Sequence, residues 1–245
     1  DHQDLHSFPT RRSSDLIYAK LQNQANLMKY YAKYHHGKDN AFTSVFEKCL
    51  VKMEGSADAA LVFSGRDANN YREQIMAIEA HGADNYWQMV KALLDGYIAF
   101  PSRIHRGATD PVNCMLNYGY GMLYARVWEA LIKARLNPCI GYIHANEPNR
   151  PALVYDFIEQ FRQQAVDRPV FGILAKGEAI EIKEGRLSEA TRDLLVDNIF
   201  ERLNKLELYR GKRQRFTDIM EHQARETARF FNGEVKTYKP YIAKW

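Results

Sequence analysis

The chain has 245 residues, of which 46% are hydrophobic, and a formal net charge of +4 at pH 7. This length allows a sizeable core in one or two domains. Because no apolar run approaches the roughly 18 residues of a membrane span, we expect a cytoplasmic protein with no membrane partner. The slight basic excess is compatible with phosphate binding but is also common in proteins that do not touch DNA. The three cysteines have no CxxC spacing, so we expect them to be reduced.

The N-terminal segment Asp1–Leu16 is interpreted as foreign to the natural protein. From His6 it reads HSFPTRRSSDL, which is the translation of a common sequencing adapter. It lacks the apolar centre of a signal peptide, and Arg11 and Arg12 are not taken as a nucleic-acid-binding arm. We therefore expect residues 17–245 to form one domain and the natural protein to begin further upstream.

The rest of the chain has a helical pattern almost throughout, so the predicted fold class is all-α, a single multi-helix domain. Between Lys38 and Asn70 we expect loops around one short helix. The predicted elements that follow are a helix over Met76–Leu94, a long helix from Asp110 to about Asn137, a small hairpin or irregular loop over Ala179–Leu187, a helix over Ser188–Leu206 and a last helix from about Arg213 to Asn232.

The first candidate for chemistry is a carboxylate on the apolar stripe of a predicted helix. Glu79 shares this stripe with the YW pair of MAIEAHGADNYWQMVKALL. Because an unpaired buried charge is too costly to keep, Glu79 must be paired, protonated or metal-bound. A salt bridge to an arginine such as Arg103 or Arg106 is the alternative. Glu54, in the similar run MEGSADAA, ranks well below Glu79 because no aromatic pair follows it at helical spacing.

The second candidate is the segment NPCIGYIHANEPNRPALVYDFIEQFR, which contains one histidine and two acids at helical spacing. His144 follows a short apolar approach, and Pro151 suits the first turn of the next helix. Asp156 and Glu159 are expected on one side of that helix, where they can approach His144. Carboxylates and an imidazole are suitable ligands for a hard divalent metal ion. A histidine near a loop and an acidic helix flank is the alternative interpretation.

Taken in order, these motifs resemble one known family. Glu79 with YW seven residues on, then DPVNCMLNYGYGMLYARV, LNPCIGYIH and LVYDFIEQFR, is similar to the CRISPR-associated endonuclease that integrates new spacers. The resemblance covers the chain from about residue 21 to the YKPY near its C-terminus. It implies that Glu79, His144 and Glu159 are catalytic metal ligands for Mg²⁺ or Mn²⁺. It also implies that Asp156 is a further catalytic acid, beside the metal or behind its ligands.

The resemblance also implies an activity and partners. The activity is metal-dependent transesterification, in which the 3′-hydroxyl of a captured DNA fragment attacks a phosphodiester at the edge of the CRISPR repeat. The implied partners are double-stranded DNA, a second copy in a homodimer, and the small second protein of the adaptation module. A β-rich N-terminal domain, missing here, is expected to precede the helical domain, and in some relatives a reverse transcriptase is fused upstream. The alternatives are a non-catalytic subunit that only grips DNA and a metal nuclease of branched or repair DNA.

DNA contacts are expected from lysine and arginine, because neutralising phosphates provides sequence-independent affinity. The candidates near the motifs are Arg103, Arg106, Arg150 and Arg168. Arg162 is equally suited to pair with Glu159. Two further groups could contact DNA but also have a structural interpretation. A basic cluster is interpreted as a solvated loop at a helix start, and two tyrosines on the long helix are interpreted as core residues. These groups are Arg210, Lys212, Arg213 and Arg215, and Tyr118 and Tyr120.

Overall fold

The computed structural model describes residues 10–35, 41–63, 68–141 and 151–244. Within these ranges the chain folds into α-helices, one π-helix and two short antiparallel hairpins, which confirms the predicted all-α class. The elements are α1 (Thr10–His35), α2 (Ala41–Val62), α3 (Ala68–Leu94), α4 (Pro111–Lys133), α5 (Ala152–Ile158), a π-helix (Gln163–Asp167), α6 (Arg168–Ala175), β1 (Ile182–Lys183), β2 (Arg186–Leu187), α7 (Glu189–Asn204), β3 (Leu206–Tyr209), β4 (Lys212–Arg215) and α8 (Phe216–Phe231).

The first three helices pack against one another. A Cβ atom at Gly82 of α3 would collide with the side chain of Leu21 in α1. The glycine therefore permits a close approach of the two helices at this point. Leu21 is 1% exposed, so the contact belongs to the core. This approach positions the residue before Leu21, Lys20, near the residue one turn before Gly82, Glu79.

The central helix α4 contacts α5, the π-helix, α6, α7 and α8. Its start follows the predicted pattern, because the Asp110 side chain accepts a hydrogen bond from the Asn113 N–H and Pro111 occupies the first turn. Its apolar face is fully buried and includes Leu116, Leu123 and others. Within the described ranges, no helix combines the length and the apolar composition needed to cross a lipid bilayer.

The helix predicted after Pro151 is present but is divided into three parts. Helix α5 ends at Ile158, and a turn leads into the π-helix. The Arg168 N–H donates to the carbonyl of Gln163, five residues earlier. Pro169 follows and has no N–H to donate. The turn and the change from α-helix to π-helix separate Glu159, at the end of α5, from the buried polar side chains of the π-helix.

Three sequence predictions about element boundaries are wrong. Helix α3 begins at Ala68, eight residues before the predicted start at Met76. The region from Lys38 to Asn70 contains the 22-residue helix α2 instead of one short helix. The chain between α7 and α8 forms the β3–β4 hairpin, whereas we predicted the end of one helix at Leu206 and the start of the next at about Arg213. At its turn Arg210 and Gly211 both have positive φ angles, 49° and 80°, which suits a two-residue hairpin. The smaller β1–β2 hairpin lies within the predicted segment.

The first helix begins at Thr10, so it continues across the boundary at Leu16 that the adapter interpretation sets. Leu16 is 2% exposed. The interpretation concerns the origin of these residues and stays a prediction. At the other end of the chain, the C-terminal segment has no regular structure but is attached to α1, because Asn23 hydrogen-bonds to the backbone of Tyr241 and Ala243.

Candidate catalytic cleft

A cavity of about 320 Å³ lies where α1, α3, α4 and the end of α5 meet. We call it the carboxylate cleft. Its lining combines two carboxylates with several cationic side chains, which is the composition expected of a site that binds phosphate around a metal ion. The lining residues are Lys20, Gln24, Glu79, Ala83, Trp87, Arg103, His105, Tyr120, Glu159, Arg162 and Gln163.

The two carboxylates of the cleft share one cation. The Lys20 ammonium forms an ion pair with Glu79 Oε1 and a second one with Glu159 Oε2, at 2.7 Å. Arg162 pairs with the other oxygen of Glu159 at 2.9 Å. Burial alone would lower the pKa of Lys20, but the Glu159 and Glu79 carboxylates outweigh it and raise that pKa. Lys20 is therefore charged at neutral pH.

The structure brings together two of the predicted metal ligands. Glu79 and Glu159 come from different helices and meet at Lys20, with 28% and 12% of their side chains exposed. The ion-pair partner of Glu79 is thus Lys20, and not Arg103 or Arg106 as in the alternative interpretation. Glu54, the low-ranked acid, pairs instead with Lys29 at 2.7 Å on another part of α1.

Asp156 lies one helical turn before Glu159 and is completely buried. It is not among the residues that line the carboxylate cleft. A Cβ atom at Gly141 would lie 2.9 Å from Asp156 Oδ2, so the chain passes directly against this carboxylate just before residue 142. His144 lies outside the described residues, and its role as the third ligand stays a prediction. Within the described ranges, no group of three or more His, Cys, Asp or Glu side chains is arranged to hold a metal ion.

Two guanidinium groups, those of Arg103 and Arg162, line the carboxylate cleft. Arg103 donates to Asn113 Oδ1 at 2.8 Å and to Asn117 Oδ1 at 2.6 Å, which ties the loop before α4 to that helix. Both Arg103 and Arg162 lie over the ring of Tyr120, at 5.3 Å and 4.7 Å from its centroid. Such contacts with an aromatic face stabilise cations in a partly buried place.

An imidazole that the sequence analysis did not single out also lines the carboxylate cleft. His105 is exposed to solvent. Partial burial lowers its pKa, and the charges of Arg103 and Arg162 lower it further. The ring is therefore neutral at neutral pH, with a nitrogen able to accept a proton. His105 lies in a loop, where no helical periodicity could indicate from the sequence that it lines a site.

Lys20 was missed for a different reason. It shares one face of α1 with Leu16 and Leu27, both buried. The argument that selected Glu79, a charged residue on an apolar helical stripe, applies equally to this lysine. The signal was present in the sequence, but the pattern alone does not identify the carboxylates that it meets.

Behind the cleft lies a buried acid held by two tyrosines. The hydroxyl of Tyr86 donates to Asp167 Oδ2 at 2.7 Å, and that of Tyr120 donates to Oδ1. Burial raises the pKa of Asp167 from 3.8 to about 6, although both hydroxyls and nearby arginines oppose the change. Tyr120 therefore contributes to the floor of the cleft, whereas Tyr118 is 39% exposed.

The predicted DNA-binding arginines are distributed unevenly. Arg103 lines the cleft, and Arg106 is exposed on the same loop. Arg168 lies over the ring of Tyr30, 5.0 Å from its centroid, and Arg150 is outside the described residues. The second basic cluster lies in the β3–β4 hairpin, not in a helix-start loop, and its Arg210 pairs with an acid of α8. The DNA-binding assignments stay predictions.

Comparison with solved structures defines the class of fold. A casposase bound to an integration product superposes with a TM-score of 0.74 at 22% identity, over 95% of this chain and 67% of that chain. A Cas6-RT-Cas1–Cas2 complex gives a TM-score of 0.80 at 18% identity, over 99% of this chain and 26% of that chain. A Cas1 protein from Thermotoga maritima superposes with a TM-score of 0.67 at 18% identity, over 94% of this chain and 69% of that chain. The chain therefore has the helical fold shared by casposase and Cas1 proteins.

Sequence comparison is more specific. The family model described as CRISPR associated protein Cas1 matches residues 3–201. The chain is 31% identical to the CRISPR-associated endonuclease Cas1 1 of Archaeoglobus fulgidus, over 95% of this chain and 71% of the relative. It is 29% identical to the CRISPR-associated endonuclease Cas1 of Hyperthermus butylicus, over 94% of this chain and 67% of the relative. The chain belongs to the Cas1 family, which confirms the resemblance seen in its motifs.

Proposed function

We propose that this chain is the catalytic domain of a CRISPR-associated endonuclease and integrase that inserts new spacers into a CRISPR array. The observation that carries the proposal is the convergence of Glu79 and Glu159 on a single cation position. These two acids come from helices distant in sequence and point into a cleft bordered by arginines. The relatives named as endonucleases support the same conclusion.

The residues present suit a divalent metal ion. Two carboxylates that already share one cation in a partly buried cleft offer the hard oxygen ligands that Mg²⁺ and Mn²⁺ prefer. His144 would add an imidazole nitrogen, which Mn²⁺ accepts readily. We propose Glu79, His144 and Glu159 as the ligands, with Asp156 as a further catalytic acid behind Glu159.

The proposed reaction is a transesterification. The 3′-hydroxyl of a captured DNA fragment loses its proton and forms a new P–O bond with a phosphodiester at the edge of the repeat. The old P–O bond breaks, and the departing 3′-oxygen takes up a proton. A bound divalent ion would lower the pKa of the attacking hydroxyl and neutralise charge in the transition state. Arg162 holds the Glu159 carboxylate in place, and the charge of Arg103 in the lining makes the cleft attractive to phosphate.

The proposed partners follow from the same reaction. They are double-stranded DNA, as captured fragment and as repeat, a second copy of the chain in a homodimer, and a small Cas2-type protein. The fold neighbours described as a casposase bound to an integration product and as a Cas1–Cas2 complex support the DNA and the small protein. A reaction on the CRISPR array is consistent with the expected cytoplasmic location.

The test is strand transfer with single-residue variants. Glu79→Gln and Glu159→Gln each remove a ligand charge while keeping the shape of the side chain. We expect each to lower Mn²⁺-dependent joining of a fragment to repeat DNA at least about 100-fold, an effect typical of the loss of a catalytic group. Affinity for duplex DNA should change less than about threefold, because phosphate contacts come from other residues.

The matched control is Glu54→Gln, since Glu54 also pairs with a lysine of α1 but lies outside the carboxylate cleft. This variant should retain joining. Joining that persists in the Glu79 and Glu159 variants would disprove the assignment. Cleavage of branched DNA without joining would favour the nuclease alternative, and duplex binding with neither activity would favour the scaffold alternative.

A further inference from the structure

The Lys20 ammonium contacts both of the carboxylates that the proposed function assigns to a metal ion. It contacts one oxygen of Glu79 and one oxygen of Glu159. The lysine side chain is only 9% exposed. Its backbone is held by the close packing of Leu21 against Gly82. The lysine is therefore part of the site, and its charge is directed at the same oxygens that the proposed function assigns to a metal.

Charge balance explains what this position implies. Two carboxylates at such short separation repel each other, and Lys20 and Arg162 together compensate them. A divalent ion bound to these oxygens needs contacts of about 2.0–2.2 Å. An ammonium in contact with the same two oxygens would lie within a few ångströms of such an ion, and the two cations repel at close range. The metal and the lysine would therefore compete for the same two carboxylates.

We propose that Lys20 is a positioning residue that holds Glu79 and Glu159 together while the site is free of metal and is displaced when a divalent ion binds. This inference rests on the proposed function, because it needs a metal at these carboxylates. Its consequence is that the chain sets its own metal affinity. The apparent affinity is lowered by the work of expelling the ammonium, and the carboxylates are kept in register until that happens.

The decisive experiment is calorimetric titration of the full chain with Mn²⁺ alone. Lys20→Met keeps most of the length of the side chain but removes the charge. We expect it to bind Mn²⁺ about tenfold more tightly, the change that corresponds to about 1.4 kcal/mol of lost cation repulsion and competition. Its metal-free thermal midpoint should fall, because the two carboxylates lose their shared cation. Lys20→Arg retains the charge and should stay near wild-type affinity.

The chain offers a matched control on the same helix. Lys29 forms one ion pair, with Glu54, at the same distance of 2.7 Å. Lys29→Met should leave the Mn²⁺ affinity unchanged. If Lys20 served only to stabilise the fold, its loss would lower the thermal midpoint without tightening Mn²⁺ binding. An unchanged or weaker affinity of Lys20→Met would therefore overturn the proposal.

A second measurement uses the wild-type chain, so it does not depend on whether a variant folds. Acetylation of lysines, read by mass spectrometry with and without saturating Mn²⁺, reports whether the ammonium is released. Labelling of Lys20 should increase severalfold with Mn²⁺, while that of Lys29 should not change. Labelling of Lys20 that stays constant or falls would contradict displacement.

The Glu159→Gln variant separates this inference from the proposed function. If Glu159→Gln loses Mn²⁺ binding but Lys20→Met does not gain it, the metal site stands and the lysine proposal fails. If Glu159→Gln binds as the wild type does, or if neither the wild type nor Lys20→Met binds Mn²⁺, both proposals fail. Binding by Lys20→Met but not by the wild type would support both.

Discussion

Tyr86 of α3 donates a hydrogen bond of 2.7 Å to Asp167 at the end of the π-helix, and both side chains are completely buried. This contact ties the helix that carries Glu79 to the segment that follows Glu159. A second hydroxyl, from Tyr120, completes the environment of the acid. The carboxylate cleft thus rests on an ionisable group that lies out of reach of water, and its charge state should affect the stability of the whole site.

The first prediction concerns pH. Burial raises the pKa of Asp167 from 3.8 to about 6, so between these values the folded state binds a proton that the unfolded state has released. The free energy of unfolding should therefore fall as pH rises from about 4 to about 6, by up to about 3 kcal/mol from this group. Asp167→Asn removes this contribution.

Urea denaturation at several pH values checks this prediction. The difference in unfolding free energy between Asp167→Asn and the wild type should change in favour of the variant across that window and be constant above it. A constant offset from altered hydrogen bonds is expected in addition. Parallel pH profiles for the two proteins would show that Asp167 does not titrate there.

The second prediction uses two glycines of α4. A Cβ atom at Gly119 would lie 2.5 Å from Val166 Cγ1 and 3.0 Å from Ile199 Cδ1. Gly119→Ala should therefore destabilise the fold by about 1–3 kcal/mol through overpacking. Gly121 is exposed, and a Cβ atom there would meet nothing within 4 Å. Gly121→Ala should be neutral or stabilise by up to about 1 kcal/mol. Thermal unfolding of both variants decides; equal effects would contradict this packing.

The third prediction concerns the attachment of the C-terminal segment. Asn23 is fully buried, donates to the carbonyls of Gln160 and Tyr241, each at 2.9 Å, and accepts from the Ala243 N–H at 2.7 Å. Asn23→Ala leaves these buried groups without a partner and should cost about 2–4 kcal/mol. Asn26 makes one partly buried bond, to the Ala243 carbonyl at 3.0 Å, so Asn26→Ala should cost about 1 kcal/mol.

Chemical denaturation measures both asparagine variants, and limited proteolysis near residue 240 reports release of the segment. Faster cleavage is expected for the Asn23 variant. If the two variants lost the same small amount of stability, the C-terminal segment would not depend on Asn23.

The fourth prediction concerns DNA affinity. Arg106 is exposed on the loop that leads to α4 and follows His105, which lines the carboxylate cleft. The logarithm of DNA affinity falls linearly with the logarithm of salt concentration. If Arg106 neutralises one phosphate, Arg106→Ala should make this negative slope shallower by about 0.9. Fluorescence anisotropy with a DNA duplex at several salt concentrations measures this slope. Arg186, exposed in the β1–β2 hairpin, is the control, and an equal loss in Arg186→Ala would indicate non-specific attraction.

The elements that the sequence predicted well are those with strong local signals. The stripe around Tyr86 predicted α3, and the Asp110 cap with Pro111 predicted the start of α4. The β3–β4 hairpin was missed because its strands are short and two of their three inward residues, Glu207 and Gln214, are polar. The length of α2 was underestimated because the polar runs GKDN and SGRDANN, on either side of it in the sequence, obscured the apolar stripe of the helix itself.

The candidate site was predicted in part. Apolar periodicity selected Glu79, and the spacing of the acids selected Asp156 and Glu159, all of which belong to one region of the fold. Which of Asp156 and Glu159 lines the cleft was not predictable, because this depends on where α5 ends. Glu159 lines the cleft, whereas Asp156 is buried against Gly141 and does not line it. His144 stays a prediction.

By itself the sequence determined the helical class, the helix caps and the order of motifs that the Cas1 family shares, because periodicity and capping act between residues a few positions apart. Only the tertiary structure decided which charges meet. Lys20 and Glu79 are 59 positions apart, and their ion pair depends on the close contact of Leu21 with Gly82. Contacts of this kind depend on how whole helices pack, and the energy of a charge depends on the neighbours that packing brings.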